Sequence, residues 1–147
     1  MSTPGSSAAT PEGQEAEIRI SRSHDSGESR YTLTLYESLL LHVTLGGKGT
    51  MAGVERLLAA MEEMEQCLRP GEKVNALIDL KALDGAPLRA QLRLGKWLLA
   101  RRDRAARIAI FGGKPVEIAV ARAVMKIARM HHVSFSAHES EARAFLG

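Results

Sequence analysis

The stretch Val74–Leu80, with the sequence VNALIDL, is a nearly continuous apolar run. Runs of this kind are typical of strands that are buried on both faces, as in a parallel sheet. A second buried strand is predicted at Ile108–Phe111. Between the two, Pro87 occupies a favourable first-turn position for a helix that extends to about Asp103. Strand, helix and strand in this order indicate a parallel βαβ unit.

The N-terminal side of this unit changes from period two to helical period. Tyr31–Tyr36 and Leu39–Leu45 alternate apolar and polar residues and predict a β-hairpin, with a short edge strand at Ile18–Ile20. Thr50 is then a suitable N-cap, because its hydroxyl can accept a free backbone N–H. We expect a helix from Thr50 to the Pro70-Gly71 pair.

The C-terminal side repeats the alternation of helix and strand. A helix begins at Pro115, with a stripe formed by Val116, Val120, Ala123, Ile127 and Met130, and a strand at Val133–Ala137 and a helix at Glu139–Leu146 follow. The pattern therefore predicts an α/β fold: a mixed, mostly parallel sheet, an N-terminal β-hairpin and about four helices.

Length and composition are those of an ordinary globular domain. The chain has 147 residues, a net charge of +3 and one cysteine, Cys67, which we interpret as a small hydrophobe in a reducing compartment. Residues 1–15 carry nothing large and apolar and predict a disordered tail, followed by a single domain at 16–147. No signal-peptide pattern and no run of about 20 apolar residues is present, so we expect a cytoplasmic protein without membrane insertion.

Four segments carry a resemblance to a known family: the Leu39–Gly46 strand, the Ile78–Leu80 strand end, Arg107–Phe111 and the closing Phe135–Leu146. With these features the chain resembles the STAS superfamily, the sulfate transporter and anti-sigma factor antagonist domains. More narrowly, it resembles small stand-alone bacterial proteins described as sporulation anti-sigma-antagonist-like, whose fold is close to the lipid-binding Sec14 type. The resemblance implies a STAS-like domain that regulates by binding a protein.

Antagonists of that family are switched by phosphorylation of a Ser or Thr in the loop after the Asp-Leu strand end. The corresponding residues here are Asp79, Lys81, Asp84 and Gly85, and no Ser or Thr occurs from Met51 to Val133. The resemblance therefore implies that this switch is missing. Asp84 could imitate a constantly charged state near a helix N-terminus, or Asp84-Gly85 could form a simple turn.

Two glycine-rich loops are candidates for anion binding. Gly47, Lys48 and Thr50 lie in one loop and Gly113 and Lys114 in the other, and each loop follows a strand and opens a helix. A helix N-terminus beside an ammonium attracts anions. Neither loop matches the phosphate-loop pattern, so they are interpreted either as plain turns or as a weak phosphate or nucleotide site.

The clearest charge asymmetry lies in the helix after Pro87. Helical spacing places apolar residues on one face and basic residues on the other, with the only tryptophan beside the basic face. The apolar face comprises Leu88, Leu92, Gly95, Leu98 and Leu99; the candidate partner-binding residues are Arg89, Arg93, Lys96, Trp97, Arg101 and Arg104. Trp flanked by Arg suits an interface anchor, and the acidic preceding helix favours an acidic protein partner or self-association as a homo-oligomer. The alternative is a solvated basic helix with Trp97 at the edge of the core.

Other chemistry finds little support in the sequence. The five histidines show no metal-ligand spacing, no carboxylate pair stands out for acid–base catalysis, and the basic residues are not interleaved with aromatics as nucleic-acid binding requires. We therefore predict a non-enzymatic regulatory protein-interaction module without cofactor or metal. The alternative is a carrier or sensor of a small anionic or lipid-like ligand. A deep apolar cavity above the carboxyl ends of the strands would favour the carrier, and a filled interior with an exposed patch around Trp97 would favour the interaction module.

Overall fold

Six strands and four helices make up the part of the chain that the computed structural model describes, residues 17–147. The predicted tail at 1–15 lies outside these residues. The strands are β1 (Ile18–Asp25), β2 (Ser29–Tyr36), β3 (Leu40–Gly47), β4 (Val74–Leu83), β5 (Ala105–Phe111) and β6 (Val133–Ser136). The helices are α1 (Met51–Gln66), α2 (Leu88–Ala100), α3 (Pro115–Ile127) and α4 (Glu139–Leu146).

All six strands form one sheet in the order β1-β2-β3-β4-β5-β6. The first three strands pair antiparallel, and β3 to β6 pair parallel. Right-handed crossovers that add each new strand on the same side keep the connecting helices on one face of the sheet. The predicted α/β class, with its mostly parallel sheet and N-terminal hairpin, is confirmed.

The apolar core lies between the sheet and the helices on both of its faces. Helix α1 packs Leu57 and Met64 over Leu33 and Val43 of the hairpin. Helix α3 packs over β4 and β5, whereas α4 covers the opposite face through Ala142. The sheet is thus the middle of three layers.

Several boundaries differ from the sequence prediction, including that of β5, which begins at Ala105 rather than Ile108. The edge strand β1 is eight residues long, because its backbone pairs with β2 as far as Asp25↔Arg30. Strand β4 continues to Leu83, because the backbone pairing with β3 extends to the glycines that end that strand. Helix α2 ends at Ala100 and is followed by a 3₁₀ turn at Arg102–Arg104.

Candidate functional site

An apolar cavity of about 180 Å³ lies between the sheet and helices α1, α2 and α3. Its lining extends along β4 from Val74 at the amino end to Leu83 at the carboxyl end. Four methionines contribute to this lining: Met61, Met64, Met125 and Met130. Methionine side chains are unbranched and flexible, so they can adapt to the shape of a bound molecule.

Helix α2 forms the roof of this cavity. It makes its main contacts with α1 and α3 rather than with the sheet. Its close approach to α3 depends on Gly95, because a Cβ there would lie 2.6 Å from Cγ2 of Ile127. Leu94, Trp97 and Leu98 line the cavity from this roof. The space under α2 is therefore bounded by helices at its sides and by the sheet below.

Trp97 belongs to the core and not to the basic surface. Its side chain is only 5% exposed and packs with Val54, Leu58 and Ala90 between α1 and α2. The indole N–H points to Oε2 of Glu62 at 3.4 Å, and the Arg101 guanidinium lies 3.9 Å from the ring centroid. The prediction that Trp97 lies beside the basic face is wrong, because the neighbouring helix α1 covers it.

The predicted apolar face of α2 is wrong for Leu88 and Leu92, whereas Gly95 and Leu98 of the same face do point inward. Leu88 is 66% exposed and Leu92 is 39% exposed, whereas Leu94 and Leu98 face the interior. Leu94 and Leu98 are helically spaced, as are Leu88 and Leu92, so periodicity alone could not show which pair lies at the centre of the buried face. The contacts of α2 with its neighbouring helices decide which set is buried.

Several basic residues of α2 are already engaged by the acidic helix α1. Arg93 forms two hydrogen bonds with Glu55 at 2.7 and 3.1 Å, which raise the pKa of Arg93 and lower that of Glu55. Arg101 bonds Glu65 at 2.9 Å and approaches Glu62 at 3.4 Å. The opposite charges of α1 and α2 are thus partly used to hold these two helices together.

The other predicted partner-binding residues differ in their surroundings. Arg89 and Lys96 are exposed and form no ion pair within residues 17–147. Arg104 lies near the amino end of β4, where its guanidinium approaches the carbonyl oxygen of Glu72 at 3.5 Å. Their role in partner binding stays a prediction.

The two glycine-rich loops and the expected switch loop meet at the carboxyl edge of the sheet. The Asp84 N–H donates to the Gly47 carbonyl at 2.8 Å, and the Gly49 N–H donates to the Gly85 carbonyl at 2.9 Å. The Lys114 ammonium lies 3.8 Å from Oδ1 of Asp84. The structure therefore brings together three loops that are far apart in the sequence.

Most backbone donors of the first loop are used within the protein. The Lys48 N–H donates to the Glu28 carbonyl at 2.8 Å, and the Thr50 hydroxyl accepts the Gly53 N–H at 3.0 Å. Thr50 is thus the N-cap of α1, as the sequence predicted. Gly113 lets its loop approach the sheet closely, because a Cβ there would lie 3.3 Å from Cβ of Leu80. Anion binding by Gly47, Lys48, Thr50, Gly113 and Lys114 stays a prediction.

The residues expected at the switch loop are divided between strand β4 and the loop that follows it. Asp79 and Lys81 belong to β4, where Oδ1 of Asp79 accepts the Lys81 N–H at 2.8 Å. The loop therefore begins at Asp84. Of the four residues expected at the switch loop, Asp84 and Gly85 lie in it. The prediction that Lys81 lies in the switch loop is wrong, because the pairing of β4 with β3 continues beyond the apolar run as far as Leu83.

Sequence reasoning missed one residue of this site, Glu117 in the first turn of α3. The predicted stripe placed Val116 inside, but Val116 is 65% exposed and Glu117 is 4% exposed. The buried side of α3 contains Glu117 and Val124, seven residues apart. The signal was therefore present as a helical stripe shifted by one residue, with a charged residue as its first member.

Within residues 17–147, no helix has the length and apolar content needed to cross a membrane. No curated protein matches the chain. A solved structure with a SpoIIAA-like fold, an uncharacterized protein of the DUF3478 family from Shewanella loihica PV-4, aligns with a TM-score of 0.59 and 21% identity over 89% of this chain and 94% of that chain. This similarity shows the fold.

The family comparison covers most of the chain. The model of the SpoIIAA-like family matches residues 40–147, from the start of β3 to the last residue. Domains of this type are generally non-enzymatic and generally bind protein partners. The sequence resemblance to the STAS superfamily is thereby confirmed, and the chain belongs to the SpoIIAA-like family.

Proposed function

We propose that this chain is a non-enzymatic binding domain that holds a small, largely apolar molecule between its sheet and helix α2. The observation that carries the proposal is the apolar cavity of about 180 Å³ beneath α2. An apolar cavity of about 150 Å³ is known to stay dry and to bind a molecule of the size of benzene. The cavity thus suits a ligand with about six to ten non-hydrogen atoms.

Trp97 provides a direct readout of such binding. It is the only tryptophan of the chain and lines the cavity. A ligand that enters should change its fluorescence, and it should also raise the melting temperature because it binds only the folded state. Titration with 1-octanol, an aliphatic alcohol of suitable size, tests both effects.

Two leucine substitutions on α3 test whether the ligand occupies the cavity. Ala121 lines the cavity, so Ala121→Leu should fill part of it and weaken octanol binding at least about tenfold. Ala119 is exposed on the same helix, and Ala119→Leu is the matched control that should leave binding unchanged. Equal affinity of both variants, or no response of the wild-type protein, would contradict the proposal.

The second candidate function is the regulatory protein-interaction module, which lacks the phosphorylatable Ser or Thr of the classical switch loop. It is supported by Arg89 and Lys96, two exposed basic residues on α2, the helix that also carries the exposed Leu88. An acidic partner identified by pull-down should lose affinity for the Arg89→Glu/Lys96→Glu double variant, and more so at low salt. Lys73→Glu, a charge reversal at an exposed lysine just before β4, is the control. Unchanged affinity of the folded double variant would exclude this surface.

A further inference from the structure

Glu117 is the one buried member of the charged residues that line the cavity. The charged lining residues are Arg30, Lys48, Glu65, Arg101, Arg104 and Glu117. Only Glu117, at 4% exposure, is buried among them. Its Oε1 atom has no hydrogen-bond partner among the described residues. The cavity wall thus contains a carboxyl oxygen that is shielded from water and unbonded.

A role in capping the helix does not explain this carboxyl group. Glu117 is the third residue of α3, the position from which a Glu side chain can bond back to the N-cap N–H. In α4 the equivalent Glu141 does so, accepting the His138 N–H at 3.2 Å. Glu117 makes no such bond within the described part of the chain, although it has the same place in its helix.

A buried carboxyl oxygen without a partner is unfavourable for the protein alone. Burying a polar group costs free energy unless a hydrogen bond compensates it, and the cost is larger for a charged group. A hydrogen-bond donor on a ligand in the cavity would supply the missing partner. Polar groups of this kind, few in number within an apolar pocket, commonly fix the orientation of a ligand.

We infer that Glu117 selects the ligand by accepting a hydrogen bond from an O–H or N–H group at its end. The inference rests on the proposed function, since it assumes that the cavity binds a ligand. The ligand class is a short amphiphile with an alcohol or amine head. A carboxylate head is disfavoured beside Glu117, because it offers no hydrogen-bond donor.

Two isomers test the inference in the wild-type protein. 1-Octanol and heptyl methyl ether have the same atoms and nearly the same size, but only octanol has an O–H donor. We expect octanol to bind at least about tenfold more tightly than the ether, and more tightly than octanoate, by titration of Trp97 fluorescence. Equal affinities of octanol and the ether would overturn the inference while leaving apolar binding intact. Failure of both isomers to bind would overturn the proposed function as well.

Substitutions of Glu117 assign the preference to its carboxyl group. Glu117→Met keeps the length but removes the acceptor, so the preference for octanol over the ether should disappear. Glu117→Gln keeps one oxygen acceptor and adds a donor, so it should keep part of that preference and improve octanoate binding. A preference that persists in Glu117→Met would overturn the inference. Should Glu117→Met not fold, unimproved octanoate binding by Glu117→Gln would do the same.

Discussion

Two substitutions on helix α2 have opposite expected effects, depending on which of its faces is buried. The sequence pattern places Leu88 inward and Trp97 near the surface, whereas in the structure Leu88 is 66% exposed and Trp97 is 5% exposed. We expect Trp97→Ala to destabilise the fold strongly and Leu88→Ala to have little effect. Helical periodicity without the tertiary structure predicts the reverse.

The magnitude of the Trp97 effect follows from its burial. A tryptophan buries on the order of 200 Å², which at about 25 cal/mol per Å² corresponds to about 5 kcal/mol as an upper bound. Trp97 also lines the cavity, so part of its ring faces empty space and contributes less than a fully packed ring. We therefore expect Trp97→Ala to lower the free energy of unfolding by about 3 kcal/mol, at the low end for such changes. Leu88→Ala should cost about 0.5 kcal/mol or less.

Urea unfolding followed by far-ultraviolet circular dichroism measures both variants on one scale. Fluorescence is unsuitable here, because Trp97→Ala removes the only tryptophan. A loss of about 3 kcal/mol should also lower the melting temperature by roughly 10 °C for a domain of this size. A larger loss for Leu88→Ala than for Trp97→Ala would refute the orientation of α2.

Two further predictions concern helix packing and pH. Gly95→Ala should lower the free energy of unfolding by about 1 kcal/mol despite its better helix propensity, because the new methyl group meets Cγ2 and Cβ of Ile127 at 2.6 and 2.7 Å. In an Ile127→Gly background, which removes both atoms, the same change should cost less, as urea unfolding can measure. The Arg19 side chain, and then the Arg69 N–H, lower the pKa of Glu72 from 4.5 to about 2. Because this pKa is depressed in the folded state, the resulting stability is present above pH 4.5 and is lost as the pH falls towards about 2. Glu72→Gln should reduce the change of the urea unfolding midpoint with pH between about pH 4.5 and pH 2. A midpoint that depends on pH in the variant as it does in the wild-type protein would contradict this.

The sequence determined the fold class because local patterns carry it. The segments at β4 and β5 are nearly continuous apolar runs without regular polar alternation. A strand that is covered on both faces requires such a run. Thr50 and Pro115 stand where helices begin, since capping and the fixed φ of proline act within one turn. These signals depend on neighbours in the chain, so they can be recognised without knowledge of the tertiary contacts.

The candidate site, in contrast, depends on contacts between elements that are distant in the sequence. Helix α2 carries two apolar sets, and only its packing on α1 and α3 buries Trp97 and leaves Leu88 exposed. The basic residue Arg93 is matched by Glu55, 38 positions away, which no periodicity can show. Glu117 was missed because its charge argued for the surface. The sequence by itself determined which segments are strands and helices, because that depends on local backbone and side-chain preferences. Only the tertiary structure decided which face of each helix is buried and where a cavity remains, because packing is a property of several elements together.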